Sequence, residues 1–152
     1  MIALDTNVLS EGFKRRPDPR VIEWLGSVKG EVVITAVTLA EILAGVRRLP
    51  EGRRKVLLAE VIDAALRPFR DSGAVLAFDE VAADHYADIL LIRERSGLPI
   101  STADAQIAAI CRSRGATCAT RNTKDFAHTG VKLLDPWGVL SRCPGRDARA
   151  PR

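Results

Sequence analysis

Short apolar runs that alternate with stretches of helical periodicity constrain this chain more than any other feature. The runs are Ile2-Ala3-Leu4, Val32-Val33-Ile34, Ala74-Val75-Leu76-Ala77-Phe78, Thr117-Cys118-Ala119-Thr120 and Val131-Lys132-Leu133-Leu134. They are too short for buried helices and lean towards β-branched residues, so they read as short buried strands. Buried strands separated by helices imply an α/β domain with a central parallel sheet of about five short strands, covered on both faces. In open sheets of this class ligands collect beyond the carboxyl ends of the strands, near the topological switch. Candidate chemistry is therefore sought at that edge.

The intervening segments carry helix signals. A turn or two of helix follows from Thr6, and Asp18 as N-cap with Pro19 at the first helical position opens a helix through Leu25. Thr35 or Ala36 leads into a helix through about Arg48, with Leu39, Ile42, Leu43 and Val46 as its core stripe. Residues 51 to 67 have helical spacing and stop at Pro68. Asp79 caps a helix from Glu80 to about Arg95 that ends at Ser96-Gly97, and a last helix runs from Ser101 or Thr102 to Arg114-Gly115.

A length of 152 residues suits one domain. Residues 1–138 are read as that domain and residues 139–152 as a basic, flexible tail. Of the formal charge of +4, the segment 141–152 contributes +3, through Arg142, Arg146, Arg149 and Arg152 against Asp147. The rest is near neutral, so acids gathered in one cleft leave the remaining surface positive and attractive to a polyanion. The opening Met-Ile-Ala-Leu-Asp lacks the basic start of a secretion signal, and no segment approaches the roughly 20 apolar residues of a membrane span. Cys111, Cys118 and Cys143 are odd in number and show no zinc spacing, which suits a reducing compartment. A cytoplasmic protein is expected.

Four acids fall at the expected sheet edge or on helices able to cover it. Asp5 follows the first strand directly. Glu41 lies mid-helix between Ala40 and Ile42, and Asp104 is in line with Ile107, Ala108 and Cys111. Asp125 lies just beyond the fourth strand, with Asn122 beside it. Taken singly each has an ordinary explanation: an N-cap for Asp5, a solvated face for Glu41, capping and the helix dipole for Asp104, a turn for Asp125. Together they form an all-oxygen donor set suited to Mg²⁺ rather than zinc. Unpaired carboxylates so gathered repel one another unless a cation neutralises them, and the matching chemistry is phosphodiester hydrolysis.

At these residues the chain resembles the PIN-domain family, in particular the VapC and FitB-like toxins of type II toxin–antitoxin modules. The resemblance spans roughly residues 1 to 138. Its carriers are Leu4-Asp5-Thr6-Asn7-Val8-Leu9-Ser10-Glu11, Thr35-Ala36-Val37-Thr38-Leu39-Ala40-Glu41-Ile42, Thr102-Ala103-Asp104-Ala105-Gln106-Ile107-Ala108-Ala109 and Ala119-Thr120-Arg121-Asn122-Thr123-Lys124-Asp125-Phe126, with Pro136-Trp137 at the close. It implies a three-layer α/β/α domain in which Asp5 and Asp104 are the principal Mg²⁺ or Mn²⁺ ligands and Glu41 and Asp125 complete the catalytic site. Thr6 or Thr120 is implied to orient a ligand or water, and Asn7 to hold Asp5 or a metal-bound water. The fourth position is shared between Asn122 and Asp125. An RNA substrate (tRNA, rRNA or mRNA), a VapB- or FitA-like antitoxin and a homodimer follow from the same resemblance.

Two other readings compete. A haloacid-dehalogenase-like phosphatase also begins with an apolar strand and Asp, but it needs a second Asp where Asn7 stands. A non-catalytic RNA- or partner-binding module is disfavoured by the presence of all four acids.

Overall fold

A computed structural model describes residues 1–138. The proposed basic tail, its domain boundary and Cys143 fall in residues 139–152, outside those described.

The strands are β1 (Ile2–Leu4), β2 (Val32–Thr35), β3 (Val75–Leu76), β4 (Thr117–Ala119) and β5 (Leu133–Leu134). Every pairing is parallel, in the order β3-β2-β1-β4-β5. The helices are α1 (Thr6–Glu11), α2 (Pro19–Ser27), α3 (Ala36–Arg47), α4 (Arg53–Asp71), α5 (Glu80–Arg95) and α6 (Thr102–Arg114). The expected strand at 74–78 narrows to Val75–Leu76, and Ala77 and Phe78 are exposed. That strand lies at the sheet's edge, with only β2 beside it.

Strand alternation sorts the core into two layers. Leu4, Ile34 and Ala119 face one side, where they meet Val8, Val21, Trp24, Ile42, Val46, Ile62 and Leu66 from α1 to α4. Ala3, Val33 and Cys118 face the other side, against Ile89 of α5 and Ile107, Ala108 and Cys111 of α6. Each large side chain so buried contributes about 1.5–3 kcal/mol, which outweighs any single local propensity. The result is the three-layer arrangement expected.

Pro68 does not stop its helix. It lies inside α4, which continues to Asp71. Pro68 deprives the Ala64 carbonyl of its helical donor and crowds it, so what lies beyond must offset that cost. Phe69 packs against the first core layer, and the Ser72 amide and hydroxyl both donate to the Pro68 carbonyl, at 3.1 and 2.7 Å. Packing and capping beyond the proline hold the final turn.

Candidate active site

β1 sits between β2 and β4, so the chain winds one way through β2 and β3 and the other way through β4 and β5. The crevice at this reversal opens at the carboxyl ends of β1 and β4. Asp5 directly follows β1 there and Thr120 directly follows β4, with the Asp5 amide donating to the Ala119 carbonyl at 2.9 Å.

Asp5 is 3% exposed, and both its carboxylate oxygens accept hydrogen bonds. One oxygen caps α1 by accepting from the Thr6 amide at 2.7 Å. The other accepts from Asn7 Nδ2 and from the Thr120 hydroxyl, each at 2.7 Å. Asp5 therefore caps α1 while its carboxylate lies at the crevice. Asn7 also binds the end of β4: its Nδ2 donates to Thr120 Oγ1 at 3.3 Å, and its Oδ1 accepts from the Arg121 amide at 3.0 Å. Arg121 in turn lies over the Trp137 ring, 5.2 Å from its centre.

Glu41 and Asp104 approach from the covering helices. Thr35 ends β2 and caps α3 by accepting from the Thr38 amide, which sets the helix that carries Glu41; the Glu41 carboxylate accepts from the Thr6 hydroxyl. Ser101 caps α6, accepting from the Asp104 amide at 3.1 Å and donating to the Asp104 carboxylate at 2.7 Å. Burial pushes the Asp5 carboxyl above its ordinary range. The Thr120 and Thr6 hydrogen bonds oppose that rise, and the negative charges of Asp104 and Glu41 add to it. Asp104 and Glu41 thus lie near enough for their charges to act on the Asp5 carboxyl. Among the described residues the ion pairs involve none of them.

Asp125 and Asn122 are placed differently. Both are exposed in the turn after β4, where the Asp125 amide donates to the Asn122 carbonyl at 2.9 Å and the Asn122 amide to Thr120 Oγ1 at 3.0 Å. Asn122 is linked to the cluster through its backbone and Thr120. The charges that act most on Asp5 are those of Asp104 and Glu41.

The donor set fits a hard cation: carboxylates and hydroxyls without imidazole, and uncompensated by lysine or arginine. The adjacent Cys118 thiol is pushed well up by its contact with Cys111 and by burial, so it stays protonated and is a poor ligand. Among the described residues no three His, Cys, Asp or Glu side chains stand close enough to hold a metal ion unaided. Mg²⁺ commonly uses only one or two carboxylates, keeps several waters and meets a substrate phosphate.

Beside Thr6 and Glu41 a cleft of about 430 Å³ runs between α1, α3 and α4, with an apolar floor that includes Ile42 and Val46 and a rim of Lys14, Arg15 and Arg54. Sequence reasoning did not single out Ser101 as a partner of Asp104. The Ser-x-x-Asp spacing at a helix start was the available signal.

The PIN domain family matches residues 2–132. Toxin FitB of Neisseria gonorrhoeae is 38% identical over 138 residues, covering 90% of this chain and 99% of that protein. The VapC ribonuclease Y4jK of Sinorhizobium fredii is 36% identical over 90% of this chain and 98% of its own length. Among solved structures, FitAB bound to a DNA fragment superimposes with a TM-score of 0.84 at 39% identity, covering 90% of this chain and 96% of that one.

Proposed function

This chain belongs to the PIN-domain family, and from that premise we propose that it is the toxin of a toxin–antitoxin pair, an endoribonuclease dependent on Mg²⁺ or Mn²⁺. The observation that carries this is the Asp5 carboxylate, buried at the sheet's switch point and opposed by Asp104 and Glu41 without a compensating cation. Relatives named ribonuclease and toxin, at 36% and 38% identity over nearly their whole length, support the same reading.

Asp5 and Asp104 are the residues that would hold the ion. When bound, such an ion neutralises charge on phosphoryl oxygens and lowers the pKa of a water that attacks in line. The chain's own groups set the geometry. Thr6 holds one Asp5 oxygen and Asn7 and Thr120 together hold the other, so the first keeps a lone pair for the ion. Ser101 fixes Asp104 from the start of α6, and Thr6 restrains Glu41, the group available to orient a water or accept its proton. Asn122 or Asp125 supplies the fourth side of the site. Lys14, Arg15 and Arg54, along the adjoining cleft, suit the phosphates of an RNA strand.

The working unit is a cytoplasmic homodimer silenced by an antitoxin of the FitA or VapB kind. The domain comprises residues 1–138, with residues 139–152 as a basic extension. Among the described residues no helix is long and apolar enough to cross a membrane. Purified protein freed of its antitoxin is expected to cut RNA in Mg²⁺ or Mn²⁺ and to stop in EDTA, and Asp104→Asn is expected to abolish cutting while leaving the fold intact. Undiminished cleavage in EDTA sinks this assignment.

A further inference from the structure

Arg93, in the last turn of α5, is 4% exposed, yet the ion pairs among the described residues involve other side chains. A buried guanidinium is expensive to desolvate, so its partners indicate what it serves. They are backbone carbonyls of two loops. Nη1 donates to Ala127 O at 2.7 Å and Lys124 O at 3.4 Å, while Nη2 donates to Pro99 O at 3.1 Å. Its own carbonyl accepts from the Leu98 amide at 2.9 Å, so the same residue folds the α5–α6 connection back on itself.

Both loops lead into the site. Pro99 lies two residues before Ser101, the cap that grips the Asp104 carboxylate. Lys124 and Ala127 flank Asp125 in the turn that also carries Asn122, and Phe126 between them is buried in the core layer that receives α6. One guanidinium thus joins the start of α6 to the turn after β4. Its planar fork suits acceptors in two directions, which a single ammonium cannot copy.

We propose that Arg93 is a positioning residue that sets the separation between Asp104 and the Asn122–Asp125 turn, and through it the affinity of the acidic site for a divalent cation. An apolar side chain of similar length fills the space but leaves three loop carbonyls without this donor, so both loops drift while the sheet persists. The inference rests on the metal-dependent reading given above.

The test measures Mn²⁺ binding by calorimetry on full-length protein without RNA, followed by cleavage against Mn²⁺ concentration. Arg93→Met is expected to weaken Mn²⁺ binding about tenfold or more, the scale of lost support behind a metal ligand. kcat is expected to fall while KM for RNA stays unchanged, and Arg93→Lys is expected to recover part of the loss. A folded Arg93→Met with parental Mn²⁺ affinity overturns the proposal. If Arg93→Met does not fold, Arg93→Lys decides: an intermediate affinity supports it and a parental one overturns it. A parent that neither binds Mn²⁺ nor cuts RNA removes the functional reading itself, and this inference with it.

Discussion

Replacing Asp5 by Asn separates what this carboxylate does for the fold from what it does for the chemistry. It caps α1 and accepts from Thr6, Asn7 and Thr120, each at 2.7 Å. An amide keeps one acceptor oxygen, so it serves either the cap or the other two donors, and at least one bond to a charged acceptor is lost, about 1.5–3 kcal/mol. Against this stands the net rise of the Asp5 pKa, which persists after the opposing hydrogen bonds are included. The ionised group is therefore less favourable in the fold than in water. The raised pKa offsets part of that loss, so Asp5→Asn is expected to cost less than the lost bond alone, under about 2 kcal/mol in EDTA at neutral pH. Asp5→Ala leaves the same donors with no acceptor and is expected to lose about 3 kcal/mol or more.

Urea denaturation across pH provides the decisive comparison. A carboxyl with a raised folded-state pKa contributes stability that is complete below its unfolded pKa and is lost as pH rises through the folded one. The parent carries that loss and the amide does not, so their difference should move in favour of Asp5→Asn as pH rises above the ordinary Asp value of about 4. The stabilisation that Mn²⁺ confers on the parent should disappear in the variant, together with RNA cleavage. A variant less stable than the parent by more than about 2 kcal/mol at neutral pH, with no change in the gap as pH rises, refutes the argument and makes Asp5 a structural cap.

Thr120→Val removes the hydroxyl that holds the Asp5 pKa down; the acid limb of the cleavage profile should move to higher pH, and an unmoved limb shows that Asp5 ionisation does not govern it. Ser101→Ala should cost about 1 kcal/mol as a lost N-cap, read by thermal melting. It also frees the Asp104 carboxylate, so more Mn²⁺ should be needed for half-maximal cutting. Asn122→Ala and Asp125→Ala, compared in single-turnover cleavage, assign the fourth position. The larger loss marks the residue whose side chain completes the site, since the Asn122 amide that binds Thr120 survives in both variants, and parental rates in both remove the turn from the site.

Much of the architecture is local and was legible in the chain itself. Asp18-Pro19, Asp79 and Ser101 cap helices as their side-chain chemistry predicts, because an N-cap needs only its own hydrogen bond to the first turn. The β-branched run at 32–34 and the apolar run at 2–4 became central strands because burial on both faces demands such residues. Pro68 and Ala77-Phe78 departed from expectation for a shared reason: whether a turn of helix or an edge residue persists depends on what packs against it, and Phe69 and the lone neighbour β2 are known only in three dimensions.

The acids divide along the same line. Asp5 was identifiable from the sequence because a carboxylate immediately after a buried parallel strand has only the sheet's edge to occupy. That Asp104 and Glu41 lie near enough to raise its pKa, while Asp125 sits in an exposed turn, was decided by the strand order and by how α3 and α6 cross that edge. Arg93 gave no sequence signal at all, since an arginine near a helix end is ordinarily solvated. Its three carbonyl partners come from residues 99, 124 and 127, which only the tertiary structure brings to one point. Helix caps and strand burial follow from neighbours along the chain, whereas charge repulsion and carbonyl satisfaction depend on distances through space that no linear spacing encodes.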